Sequence, residues 1–350
     1  MMRAYLDHNA TTMLRAEARE AMIAAMDVYG NPSSVHSEGR KAKSILERAR
    51  GDIASAFGAD GADVIFTSSA TESAALALSG RNLRAANVEH DAVNAWTQND
   101  LPVDAQGSVT IDDPANNCVQ LANSETGVIQ TLPDGLAVSD MTQAFGKLPV
   151  AFNWTGAQMA LISAHKLGGP KGIGALVVKR GTDVPAQLLG GGQEMGRRAG
   201  TENVIGAAGF AAAAKAAAQD LADGVWDRVA ELRDLLEDRI SADAPEAIIV
   251  GKGSKRLPNT TAVAVPGWKG ETQVMQMDLA GFAISAGSAC SSGKVRASKV
   301  LSAMGYDEMT ASSAIRVSLG PHTSEQDVMG FADKWLTQMN KHRASARKKD

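Results

Sequence analysis

Short apolar runs bounded by turn residues punctuate the first half of the chain, at 63–67 (D-V-I-F-T), 118–121, 159–162 and 175–178. They are too short for helices and carry the pattern of buried strands. Between them lie helical stretches. Ser68-Ser69-Ala70-Thr71-Glu72 reads as a turn with a helix cap, and the helix continues from Ser73 to Leu78. Residues 207–240 read as one long helix. Alanine dominates its first part, and Val225, Val229, Leu232, Leu236 and Ile240 then recur at spacings of three and four. Strands alternating with helices predict an α/β sheet through the first two-thirds of the chain. The last hundred or so residues hold strand-like runs (261–265, 282–285) and helical ones (297–304, 325–339), the pattern of a smaller α+β domain. The long helix is placed as the link, which gives a large domain over 13–230 and a small one from 1–12 plus 231–350. Pro133-Asp134-Gly135 and Arg256 to Asn259 (R-L-P-N) read as turns.

Composition narrows the class. The 350 residues are 44% hydrophobic, enough for a large core. The net charge of −4 gives no positive field for nucleic acid. The basic residues at the end (Lys341, Arg343, Arg347, Lys348, Lys349) read as a solvated tail. No stretch reaches the roughly 20 apolar residues of a membrane span, and residues 1–6 lack the apolar region of a signal peptide. Two cysteines, Cys118 and Cys290, are too few for a disulfide framework, which suits a reducing cytoplasm.

Candidate chemistry centres on Ser163-Ala164-His165-Lys166, which ends the apolar run at 159–162 and precedes Gly168-Gly169-Pro170-Lys171-Gly172. A lysine desolvated at a strand end becomes a usable nucleophile, as required to hold pyridoxal 5′-phosphate (PLP) as a Schiff base. Its plainer reading is a surface lysine before a turn.

Further strings carry a family resemblance: Y-L-D-H-N-A-T-T (5–12), G-N-P-S-S-V-H (30–36), S-A-T-E-S (69–73), V-E-H (88–90), N-S-E-T-G (123–127), D-M-T-Q (140–143), G-K-L-P (146–149), S-A-H-K (163–166), R-A-G-T (198–201), S-A-G-S-A-C-S-S (285–292) and I-R-V-S-L-G (315–320). In this order and from end to end, they make the chain resemble the cysteine desulfurases of the NifS/IscS type, PLP enzymes of the class V aminotransferase group. The resemblance implies PLP fold type I: a large, mainly parallel-sheet domain with helices on both faces and a smaller α+β domain. It implies conversion of L-cysteine to L-alanine, with sulfur passed to Cys290 as a persulfide. Lys166 would be the Schiff-base lysine and His90 would stack on the ring and move protons. Asp140 would face the pyridine nitrogen, and Gln143 and Asn123 the ring substituents. Ala70, Thr71, Ser163 and His165 would hold the phosphate, with Thr201 reaching it from the second subunit of a homodimer. Arg316 and Asn31 would bind the substrate carboxylate. The expected partner is a sulfur acceptor or an iron–sulfur scaffold protein; neither nucleic acid nor membrane is expected.

The plainer alternatives are an exposed loop acid for Asp140, a structural histidine for His90 and an ordinary helix cap at 69–72. An arginine inside the apolar run 315–319 needs a partner, and a substrate carboxylate would supply one. Cys290, among glycine and serine, reads as reactive, while Cys118, in an apolar run, reads as core. The stretches from Thr71 to Asn123 and from Gly127 to Asp140 are shorter than the family usually carries. Two rival functions stand beside the first: a selenocysteine lyase or other class V PLP enzyme, and a shortened paralogue that binds partners without turnover.

Overall fold

The computed structural model describes residues 3–287 and 297–346. The first third runs β1 (Ala4–Tyr5), α1 (Ala16–Met26), α2 (Ser37–Ala56), β2 (Asp63–Thr67), α3 (Ala70–Leu78), β3 (Arg84–Ala86), α4 (Asp91–Asn94) and β4 (Gln98–Leu101). The middle holds β5 (Val138–Asp140), β6 (Met159–Ser163), β7 (Gly174–Val178), α5 (Val204–Ala222) and α6 (Val225–Asp243). Then come β8 (Ile248–Ile249), β9 (Thr260–Ala264), α7 (Gly270–Leu279), β10 (Phe282–Ala283) and β11 (Ser285–Ala286). The chain closes with α8 (Lys299–Ala303), α9 (Glu308–Ala311), β12 (Ala314–Ser318) and α10 (Glu325–Ala346).

The first sheet has the order β2-β7-β6-β5, in which β5 and β6 are parallel and β7 runs against both its neighbours. Residues 117–121 extend it. Asn117 bridges Arg84 of β3, Cys118 bridges Val138 of β5, and both bridges are parallel; β3 in turn pairs in parallel with β4. The expected strand at 118–121 is therefore buried and extended but makes only isolated bridges. The Glu89 carboxylate takes the Gln120 N–H (2.8 Å) that a continuous ladder would use.

Side chains alternate across this sheet. Val64, Phe66, Ala160, Ile162, Ala175 and Val177 enter the core shared with α2 and α5. Ile65, Met159, Leu161, Leu176 and Val178 enter the one shared with α3. Helices thus cover both faces, as a mainly parallel sheet of apolar strands requires. The alanines of α5 let α1 and α2 pack close against it.

The second sheet, β11-β12-β9-β8, is antiparallel, and β1 pairs with β10 beside it. Trp226, Val229, Leu232, Leu236 and Ile240 of α6 pack there with Phe331, Trp335 and Met339 of α10. The single helix expected over 207–240 is two helices. Asp223 caps α5, and Gly224 follows at φ +70° before α6 begins. A glycine adopts this left-handed cap without strain, and the apolar periodicity running on past it masks the stop.

Candidate active site

A cavity of about 290 Å³ lies where the carboxyl ends of β5 and β6 meet the amino end of α3. Loops diverge at the carboxyl ends of parallel strands, and α/β sheets bind ligands in the space between them. Ala70, Thr71, His90, Asp140, Gln143, Ser163, His165, Lys166 and Arg316 all line this cavity.

Lys166 arrives on a tight turn. β6 is wholly buried up to Ser163, and a single helical turn, Ala164–Lys166, redirects the chain. Gly168 follows at φ +90°, where an added Cβ would stand 2.6 Å from Arg15 Cγ. Glycine lets Arg15 approach, and Arg15 Nε donates to Leu167 O at 2.8 Å. Lys166 Nζ donates to Asn9 O (2.6 Å) and Ala10 O (2.9 Å). The His165 ring meets Thr11 Oγ1 at 3.1 Å. Burial, helped by Lys166, Lys171 and Lys147, pushes the His165 imidazole down to about 4, so the ring is neutral at pH 7.

Two further walls carry opposite polarity. Ser69 Oγ caps α3 by accepting the Glu72 N–H, and Glu72 is held by Arg198. The first N–H groups of α3, at Ala70 and Thr71, thus form a positive helix end at the cavity. Asp140 ends β5, and its Oδ1 accepts the Thr142 N–H at 2.9 Å. His90 stands exposed at the rim and caps α4: its Nδ1 accepts the Ala92 N–H at 3.1 Å, which assigns the neutral ring's proton to Nε2. An anion-binding helix end, an amine and a carboxylate line one cavity. That donor set fits the phosphate, aldehyde and pyridine nitrogen of PLP.

The rest of the expected site divides: Arg316 lines the cavity, and Asn123, Asn31 and Thr201 do not. Arg316 is buried, and its partner is Asp7: Nη2 donates to Asp7 Oδ1 (2.7 Å) and Nη1 to Ser124 O (3.1 Å). The apolar run around Arg316 therefore finds its counter-charge inside the chain, although the buried Nε has no partner. Asn123 does not line the cavity. Its Oδ1 accepts from the N–H groups of Glu125 and Thr126 and from Thr126 Oγ1, and its Nδ2 donates to Val88 O, so the amide shapes a turn. Asn31 and Thr201 sit together in a separate surface cavity. Cys290 lies outside the described residues; on either side of its segment, Gly287 N–H donates to Ala314 O and Ser298 Oγ to Glu125 Oε2 (2.6 Å). Cys118 is buried, and burial pushes its thiol well above the usual range, as suits a core residue.

Several working groups have no signal in residue type alone. Asp7, Asn9 and Ala10 fall in the quoted string 5–12 and Lys147 in the string 146–149, but nothing in those strings shows which atoms meet. Lys147 is buried, and its Nζ donates to Asn9 Oδ1 (2.9 Å) and Gln143 Oε1 (2.7 Å). Burial, with repulsion from Lys166 and Arg316, pushes this amine well below the usual lysine range. Glu89, just before His90, is equally buried; burial raises its carboxyl well above the usual range, and the nearby Asp140 adds to the rise.

Known proteins resemble this chain in sequence and in fold. A cysteine desulfurase IscS of Dictyoglomus turgidum is 35% identical, over 93% of this chain and 91% of its own. A cysteine desulfurase of Cereibacter sphaeroides is 37% identical, over 94% and 93%. The X-ray structure of a NifS-like protein from Rickettsia africae superposes with a TM-score of 0.86 at 30% identity, covering 97% of this chain and 99% of its own. The aminotransferase class-V family pattern spans residues 4–331. The chain belongs to the aminotransferase class-V family.

Proposed function

We propose that this chain is a PLP-dependent cysteine desulfurase. The observation that carries the reading is Lys166 Nζ at the cavity, held by the carbonyls of Asn9 and Ala10, between the α3 N-terminus and Asp140. Bound PLP supplies the electron sink that lets bonds at the substrate Cα and Cβ break. Lys166 holds the cofactor and moves the Cα proton. Ala70, Thr71, Ser163 and His165 bind the phosphate, and neutral His165 does so as a hydrogen-bond donor rather than a cation. Asp140 keeps a proton on the pyridine nitrogen. Gln143 donates to the ring oxygen. His90, whose Nδ1 makes the cap bond, stacks at the rim and passes protons. Arg316 holds the substrate carboxylate, and Asp7 and Ser124 hold Arg316.

Cys290 takes the sulfur: L-cysteine plus the Cys290 thiol gives L-alanine plus a Cys290 persulfide, which balances without an oxidant. The anchoring of Ser298 to Glu125, next to the Ser124 carbonyl that Arg316 bonds, supports delivery of this segment to the cavity. Asn31 and Thr201 act in this reading at the cavity of a second copy, which makes the working unit a homodimer. Residues 13–230 form the cofactor domain, and 1–12 with 231–350 the substrate-side domain. The persulfide goes to an acceptor or iron–sulfur scaffold protein in the cytoplasm; among the described residues no helix is long and apolar enough to cross a membrane.

The test is direct. Wild-type protein with PLP should show the visible absorbance of a lysine-bound cofactor and release alanine from L-cysteine. Lys166→Ala should lose the absorbance. Cys290→Ser should keep it and lose sulfur transfer. A wild-type protein that takes up no PLP sinks the proposal.

A further inference from the structure

We propose that Lys147 is a positioning residue that fixes the side-chain amide of Gln143, so that the cavity wall beside Lys166 presents an N–H donor. The inference rests on PLP binding at this cavity. The amide of a glutamine can stand either way round, and here two neighbours decide it. Gln143 Nε2 faces Asn9 O at 2.9 Å, and a carbonyl can only accept. On its other side Gln143 Oε1 receives Lys147 Nζ at 2.7 Å. Asn9 is itself held in place: its Nδ2 donates to Thr260 Oγ1 (2.8 Å) and Ser124 O (3.2 Å), and its Oδ1 accepts from Asn259 Nδ2 and Lys147 Nζ. The same Asn9 carbonyl receives Lys166 Nζ. Gln143 lines the cavity, and its Nε2 carries a second N–H beyond the one given to Asn9 O.

A buried lysine is a costly way to hold a glutamine unless its polar head matches its surroundings. Lys147 meets two neutral amide oxygens; the charged groups that face it are Lys166 and Arg316, and the imidazoles of His8 and His165, both lowered to about 4, lie near it. Lys147 Nζ donates one N–H to each of these amide oxygens. Methionine or leucine at 147 would fill the space, leave Gln143 Oε1 unpaired and leave Asn9 Oδ1 with Asn259 Nδ2 alone, which removes one of the two contacts that set the way round of the Gln143 amide.

The experiment is a double-mutant cycle on PLP affinity and on the pH dependence of the visible absorbance, using full-length wild type, Lys147→Met, Gln143→Met and the double variant. Lys147→Met should keep the absorbance, bind PLP about tenfold more weakly, the scale of one lost hydrogen bond, and shift the pH at which the absorbance changes. Adding it to Gln143→Met should change little further, because the residue Lys147 acts through is already gone. Lys147→Gln replaces Lys147→Met in the cycle if the latter does not fold, and the same outcomes decide. A Lys147 variant with wild-type affinity and pH response, or one whose effect adds in full to that of Gln143→Met, overturns the inference and leaves the desulfurase reading standing. Wild-type protein that takes up no PLP overturns both.

Discussion

Glu89→Gln should stabilise this protein, and increasingly so as pH rises. Glu89 is buried, its Oε1 accepts the Gln120 N–H at 2.8 Å, and its Oε2 has no partner. Burial raises its folded pKa well above the unfolded value, and Asp140 adds to the rise. Below the unfolded pKa both states carry the proton and the group contributes no pH dependence. Above it the unfolded chain releases the proton while the folded chain retains it, so rising pH favours unfolding. The loss is about 1.4 kcal/mol per pH unit until the folded pKa is reached. Glutamine is an isosteric reference: its Oε1 can keep the Gln120 bond, and its Nε2 leaves a buried donor unpaired where the protonated acid does too. The difference between the two proteins therefore isolates the titration. Guanidinium unfolding of both, at steps between pH 5 and pH 8, measures it. A gap between wild type and variant that stays constant, or narrows as pH rises, refutes the reasoning that Glu89 is a neutral acid in the fold.

Asp7→Asn removes the counter-charge of buried Arg316 and should cost about 3 kcal/mol of stability; thermal melting should then show L-cysteine stabilising this variant more than wild type, because the substrate carboxylate restores the missing partner. Equal shifts in both would count against Arg316 as the carboxylate site. Glu194→Ala should cost about 3–5 kcal/mol in denaturant unfolding, since Glu194 takes both Arg50 Nη groups and the Phe66 N–H while it and Met195 hold positive φ angles of 47° and 60°.

The layering of the large sheet was legible because its strands are apolar on both faces, a pattern that only covered, mainly parallel sheets need. The turns at 133–135 and 256–259 were legible from proline, glycine and asparagine. Two elements were not. The break at Gly224 hides inside a periodicity that α5 and α6 continue on either side. The segment 118–121 reads as a strand, but its ladder fails where a side chain, Glu89, takes a backbone donor. For the site, residue type pointed to Lys166 and the family resemblance to Asp140 and Thr71, and the fold brings all three to one cavity. It could not reveal that Asn123 is spent on a turn, nor that the carboxylate opposite Arg316 comes from Asp7, because both facts are contacts between distant segments.

The string at 5–12 shows why such contacts escape a reading by chemistry. Its part in the cavity is largely backbone: Asn9 O and Ala10 O receive Lys166, and Asn9 O also receives Gln143. A carbonyl is the same in every residue, so no side-chain type announces it. What the sequence does specify is the docking that puts those carbonyls there. β1 pairs with β10, the Asn9 N–H bonds Ser318 Oγ on β12, and the Asn9 amide reaches Thr260 on β9. The cavity lysine, carried by the first sheet, is thus aligned by a segment anchored to the second. The cavity forms where the two sheets meet, and Asn9 ties the position of one to the lysine carried by the other.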